Sequence, residues 1–233
     1  MIPVVYDGSF EGLLTAIFEI YEYKLSDPLI IRMEVANTNL FGDIHLVEHD
    51  DEKAKRVYKK LKDKLTPTGF SQLYKSFLSE GKDIENIIYR YVSYVMASKG
   101  SVENNFAHPD VLQLQQISRK VHREKHRMEA FIRFELSKDG LFYCLIQPDF
   151  NVLPLIKDHF EKRYADQRWL IYDSRRKYGL YYDLEKTEEI SMQFDEGSQD
   201  GQVKGDIIDE KEELYQKLWQ QYFTALISLR AKI

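Results

Sequence analysis

The chain has 233 residues, 43% hydrophobic and 30% charged, a balance that excludes a disordered or fibrous polypeptide and allows one large core or two small ones. Its formal net charge is −5, so attraction for an anionic partner has to come from a local reversal of sign. A single cysteine, Cys144, excludes an intramolecular disulfide, an iron–sulfur cluster and a cysteine-type zinc site. No apolar run approaches the roughly 18 residues that cross a bilayer, and MIPVVYDGSF lacks the basic start of a signal peptide. The expected location is cytoplasmic, with no membrane contact.

Ile2 to Val5 is a short apolar run that turns at Asp7-Gly8-Ser9 into an amphipathic helix striped by Phe10, Leu13, Leu14, Ile17, Phe18 and Tyr21. Asp7 or Ser9 is placed to cap it. The free amides of such a terminus suit an anion, but Asp7 and Glu11 repel one, and a plain strand–turn–helix junction is the simpler reading. Leu29 to Val35 and Ile44 to Glu48 read as two strands joined through the turn residues of 37–43. His45 and His49 flank the second strand beside Asp50, Asp51 and Glu52, without a definite ligand spacing.

Residues 50–98 read as a helical insertion of three. Thr66-Pro67 separates the first helix from the second, and Asp83 is expected to cap the third. A long helix then opens near His108-Pro109-Asp110, with Leu114, Ile117, Val121 and Met128 on one side and Arg119, Arg123 and His126 on the other. From Met128 the period changes to 2. Met128 to Ser137 and Leu141 to Gln147 read as a hairpin across Lys138-Asp139-Gly140. Val152 to Tyr164 reads as a short helix, Trp169 to Asp173 and Gly179 to Asp183 as a second hairpin, and Glu188 to Phe194 as a further strand. Residues 195–206 read as a flexible acidic loop, and the pattern from Ile208 as a closing amphipathic helix. The expected fold is a single α+β domain over 1–233, an antiparallel sheet centred on 128–194 and packed by helices.

Three features bear on chemistry. The first is charge. Between Arg119 and Arg127 five Lys or Arg face one acid, Glu124, a net +4, and Lys162 to Lys177 carries another +4. Together they suit phosphate, with Arg119, Arg123, Arg127, Arg175 and Arg176 as contacts and Tyr178 as a ring for base stacking. The stretch Glu188 to Glu213 carries a net −8, and mutual neutralisation of the two poles is the competing reading. The second is His122 and His126, spaced one helical turn apart. Glu124 points away from them and the flanking cations disfavour a divalent ion, so no metal and no cofactor is expected. The third is the set Asp149, Asn151 and Asp173 at strand ends. Turn and capping roles suit them, while an enzyme acting on nucleic acid or nucleotides would use Asp149, Asp173 and His126 as acid and base. No dinucleotide, P-loop or hydrolase motif is present.

The blocks VVYDGSFEGLLTAIFE, HPDVLQLQQISRKVHREKHRMEAFIRF, NVLPLIKDHFEKRYADQRWLIYDSRRKYGLYYD and LYQKLWQQYFTALISLRAKI resemble a bacterial family of unknown function that carries the label "probable DNA metabolism protein". Members of that family are typically encoded beside a radical SAM protein assigned to DNA repair, or fused to a uracil-DNA glycosylase-like domain. The resemblance implies an accessory role in DNA repair or modification and supplies no catalytic residues. Two departures stand out: the family pattern has a small residue at the position of His122, and relatives continue past Ile233 in a basic, aromatic tail.

Overall fold

A computed structural model describes residues 1–36, 44–137 and 140–191. These fall into two compact units, Met1–Ala130 with Asp149–Val152, and Phe131–Pro148 with Leu153 onward. Helices and sheets are mixed throughout, so the fold is α+β as expected. The turn residues of 37–43, Lys138 and Asp139, the end of the last strand, the acidic loop and the closing helix lie outside the described residues.

The first unit opens with β1 (Ile2–Tyr6), whose Val4, Val5 and Tyr6 are buried. Ser9 caps α1 (Phe10–Glu22) by accepting the Gly12 N–H at 2.8 Å, while Asp7 accepts from the Ser9 amide and hydroxyl. A Cβ on Gly12 would meet Asp7 Oδ1 at 2.0 Å, so a larger residue here would push the Asp7 side chain off its contacts with Ser9. Because α1 crosses over, β2 (Pro28–Arg32) returns parallel to β1, and β3 (His45–Leu46) pairs parallel on the other side. The two segments expected to be neighbours across a turn are therefore separated by β1, the apolar centre of the order β2-β1-β3.

The helical block appears as expected: α2 (Asp51–Lys64), α3 (Pro67–Phe77) and α4 (Ile84–Ala97). Asp50 caps α2 by accepting from the Glu52 and Lys53 amides. Thr66 caps α3 with Pro67 in its first turn. Asp83 does not cap α4. It sits at φ +64° without a side-chain cap bond, and its Oδ1 accepts from Asn86 Nδ2 at 2.8 Å. Asn86 in turn accepts the Ile30 N–H at 2.9 Å and donates to the Ile30 carbonyl at 3.1 Å, supplying β2 with the pair of bonds a neighbouring strand would give. Beside it, Glu85 Oε1 accepts from Tyr6 Oη and Arg32 Nε. Burial first, and Glu85 second, pushes the Tyr6 phenol above its ordinary range.

The next helix, α5 (Pro109–Phe131), runs past the expected end at Met128. Glu129 receives Lys125 at 2.6 Å and His126 at 3.1 Å, and these one-turn contacts keep its last turn helical where the alternation of MEAFIRFEL suggests a strand.

In the second unit, β4 (Glu135–Leu136) and β5 (Phe142–Ile146) form the expected hairpin, with Gly140 at φ +81° in its turn. The sheet is antiparallel only in part. β6 (Trp169–Asp173) lies parallel to β5, because α6 (Leu153–Arg163) carries the chain back across. β7 (Tyr178–Tyr182) and β8 (Thr187–Ser191) then add antiparallel, giving the order β4-β5-β6-β7-β8. Fully buried Trp169 anchors one face among Phe134, Phe160 and Tyr182. Leu141, Leu170, Tyr172, Tyr181 and Ile190 form a second buried cluster.

Asn86→Ala strips both bonds from buried Ile30 backbone groups and is expected to lower unfolding stability by about 2–4 kcal/mol, measured by urea denaturation. A second expectation follows from Asp50. The Lys53 amide, with weaker help from Glu52, holds its carboxyl below the ordinary carboxylate range. A depressed carboxyl stabilises fully above its unfolded pKa and loses that contribution as pH falls through the folded one. The stability gap between wild type and Asp50→Ala should hold at neutral pH and narrow on acidification below about pH 4.

Candidate functional site

The buried side of α5 is Val111, Leu114, Ser118, Val121 and Glu124, steps of three or four residues that keep to one face. Arg119, Lys120, Arg123 and Arg127 are exposed. Among the described residues none of these four takes part in a hydrogen bond or ion pair. The acids of the same segment are engaged elsewhere. Glu124, 5% exposed, accepts the Asp149 N–H at 2.7 Å, and Glu129 holds Lys125 and His126. Lys75 on α3 adds positive charge nearby: burial first and Lys125 second lower its pKa. Burial, then Lys75, also lowers the pKa of His122, whose Nε2 lies 3.1 Å from Nε2 of His126.

The second basic segment is the turn between β6 and β7, with Lys177 at φ +59°. Fully buried Asp173 organises it. Its Oδ1 accepts from the Arg175 and Arg176 amides at 2.9 and 3.2 Å, and its Oδ2 pairs with Arg176 Nη1 at 2.8 Å. The same Nη1 donates to the Pro148 carbonyl at 3.1 Å. Arg176 is thus an internal strut, whereas Arg175 and Lys177 are exposed and Tyr178 is half-buried.

The acid/base candidates stand as follows. Both oxygens of Asp173 are engaged in the turn, so it cannot act as a free base without opening that turn. Asp149 belongs with His126 to the first unit, where the Asn151 amide also donates to the Leu78 carbonyl. Of the other histidines named from the sequence, His45 pairs with Glu19 at 2.7 Å and His49 with Asp51 at 2.9 Å. Among the described residues no group of three or more His, Cys, Asp or Glu is placed to hold a metal, and no helix is long and apolar enough to cross a membrane.

A family model described as a domain of unknown function, DUF4130, matches residues 82–232. The chain belongs to that family. No curated protein matches it. The DUF4130 span begins immediately before α4 and takes in both basic segments, α5 and the β6–β7 turn, while β1 to α3 precede it.

Two features went unread in the sequence. Glu124 follows Val121 by three residues, which places it on the apolar stripe rather than among the cations. The inward course of Arg176 has no such signal, since two adjacent arginines look alike until the turn geometry selects one. Asp173→Ala removes the carboxylate that pairs with the largely buried Arg176 side chain and accepts from two turn amides, and should cost about 3–5 kcal/mol in denaturant unfolding. Asp173→Asn, which retains an acceptor for the two amides, should cost less.

Proposed function

We propose that this protein is an accessory factor of DNA metabolism, acting in the cytoplasm, that contacts nucleic acid through the exposed cations of α5. The observation that carries the reading is the set Arg119, Lys120, Arg123 and Arg127, exposed and without a partner among the described residues. Four cations on one helix without partners among the described residues, while the acids of the same segment are engaged, make a surface suited to anions. Four residues of helix advance about 6 Å and turn about 40°, so Arg119, Arg123 and Arg127 form a gently winding row. Successive phosphates lie about 3.4 Å apart along a duplex axis, and the row suits roughly every second one. Guanidinium groups add bidentate bonding to phosphate oxygens.

Arg175 supplies a second contact in the other unit, with Tyr178 beside it as a stacking ring, and Arg176 holds that turn in shape. The DNA-metabolism role itself is supported by the family resemblance in sequence, which also points to a radical SAM repair protein or a uracil-DNA glycosylase-like protein as partner.

Binding to single- and double-stranded DNA should weaken steeply with salt. Reversal of Arg119, Arg123 and Arg127 to Glu should reduce affinity by at least about tenfold and lower the duplex salt slope by about 2 to 3. Unchanged affinity of the triple variant at low salt overturns the reading. If the wild type itself shows no DNA binding at low salt, the same cations point to an acidic face on the partner enzyme, tested by pull-down with the charge-reversed chain as control.

A further inference from the structure

His122 and His126 stand one turn apart on α5, both exposed, with ring centroids 4.3 Å apart at 72°. Their Nε2 atoms approach to 3.1 Å. Two imidazole lone pairs repel at that distance unless a proton or a metal ion lies between them. His126 Nδ1 lies 3.1 Å from Glu129 Oε2 and donates its N–H there, which leaves the Nε2 lone pair directed at His122. Carboxylate, imidazole and lone pair in line are the outer arrangement that orients histidine ligands in metal sites. Neither the 3.1 Å approach nor the Glu129 contact is contained in the one-turn spacing alone.

We propose that His122 and His126 form a two-imidazole site for a divalent transition-metal ion, with Glu129 as the positioning residue for His126. Metal–nitrogen bonds of about 2.05 Å across the 3.1 Å separation give an angle of about 98° at the metal. That value lies between tetragonal and tetrahedral geometry, and imidazole ligation suits Cu2+, Ni2+ and Zn2+. Mg2+ and Ca2+, which require oxygen ligands, are not accommodated. Two imidazoles leave further positions for water or an incoming oxygen ligand. Lys75, Lys120, Arg123, Lys125 and Arg127 oppose the ion and limit its affinity, although Glu129 pairs with Lys125 at 2.6 Å. The site is independent of the nucleic-acid reading, because metal binding is tested without DNA.

The full chain, stripped with chelator, is titrated with Zn2+ and with Cu2+ by calorimetry, and the histidine ring resonances are followed by NMR with Zn2+. The expected result is one ion per chain, with the His122 and His126 resonances shifting together. His122→Ala and His126→Ala should each weaken binding at least about tenfold, and Glu129→Gln should weaken it by about tenfold without changing the stoichiometry. Both imidazoles are exposed, so the alanine variants are expected to fold, His126→Ala losing only its one-turn contact with Glu129 while Lys125 still holds that carboxylate. Wild-type affinity in either alanine variant, or shifts confined to the other four histidines, overturns the proposal. An unaltered affinity in Glu129→Gln overturns the role given to that carboxylate.

Discussion

The first unit depends on how one helix satisfies the edge of a parallel sheet. Among the described residues β2 has a strand neighbour, β1, on one side only, and its Ile30 amide and carbonyl are closed by the side chain of Asn86. An edge buried without partners would cost about 1–3 kcal/mol for each unpaired group, so the amide side chain replaces a strand. Adjacent Glu85 ties β1 and β2 to the same helix through Tyr6 and Arg32. Arg32, Tyr6 and Glu85 compensate one another, since isolated burial of any one would be unfavourable. Two consecutive residues of α4 therefore fix where the DUF4130 span meets the β-α-β unit that precedes it.

The same logic of engaged acids governs the charged surfaces. Glu124 is turned inward to an amide, Glu129 bridges two neighbours on its own helix, and Asp173 is the hub of its turn. Each carboxylate is engaged by its own partner, while Arg119, Lys120, Arg123 and Arg127 are unpaired among the described residues. Surface ion pairs contribute little to stability, so the absence of partners for Arg119, Arg123 and Arg127 among the described residues costs the fold almost nothing. Their arrangement is free to answer to a partner instead.

Much of this was legible in the sequence where the signal is local. A cap at Asp7 or Ser9, the break at Thr66-Pro67, the three helices of 50–98 and the cationic side of α5 all follow from side-chain type at fixed short spacing. Strand order was not legible. Whether Ile30 lies beside Val4 or beside the segment of His45 depends on a crossover, and parallel pairing leaves no turn signature between partners. The end of α5 was misread for a related reason. The alternation in MEAFIRFEL is genuine, but Lys125, His126 and Glu129 contribute contacts that a hydrophobic period does not register. At the candidate site, the segments and their charge were legible, while the split between Arg175 and Arg176 was set by a turn held at Lys177 φ +59°.

The net charge of −5 weighs against an anionic partner only if the whole protein's field reaches it. At physiological ionic strength the Debye length is about 8 Å, so distant exposed charges are largely screened from one another. Arg119, Arg123 and Arg127 advance about 6 Å per step along α5, inside that length, and act on a nearby phosphate as a group. The acids closest to them in sequence are already paired. On the proposed reading an incoming polyanion would meet these cations at a range where screening is weak. Lower salt lengthens the reach of both fields, which strengthens the attraction at the helix and also admits more of the global repulsion. On the proposed reading the α5 cations would set the contact energy, because Coulomb energy falls with distance and they would lie nearest the phosphates.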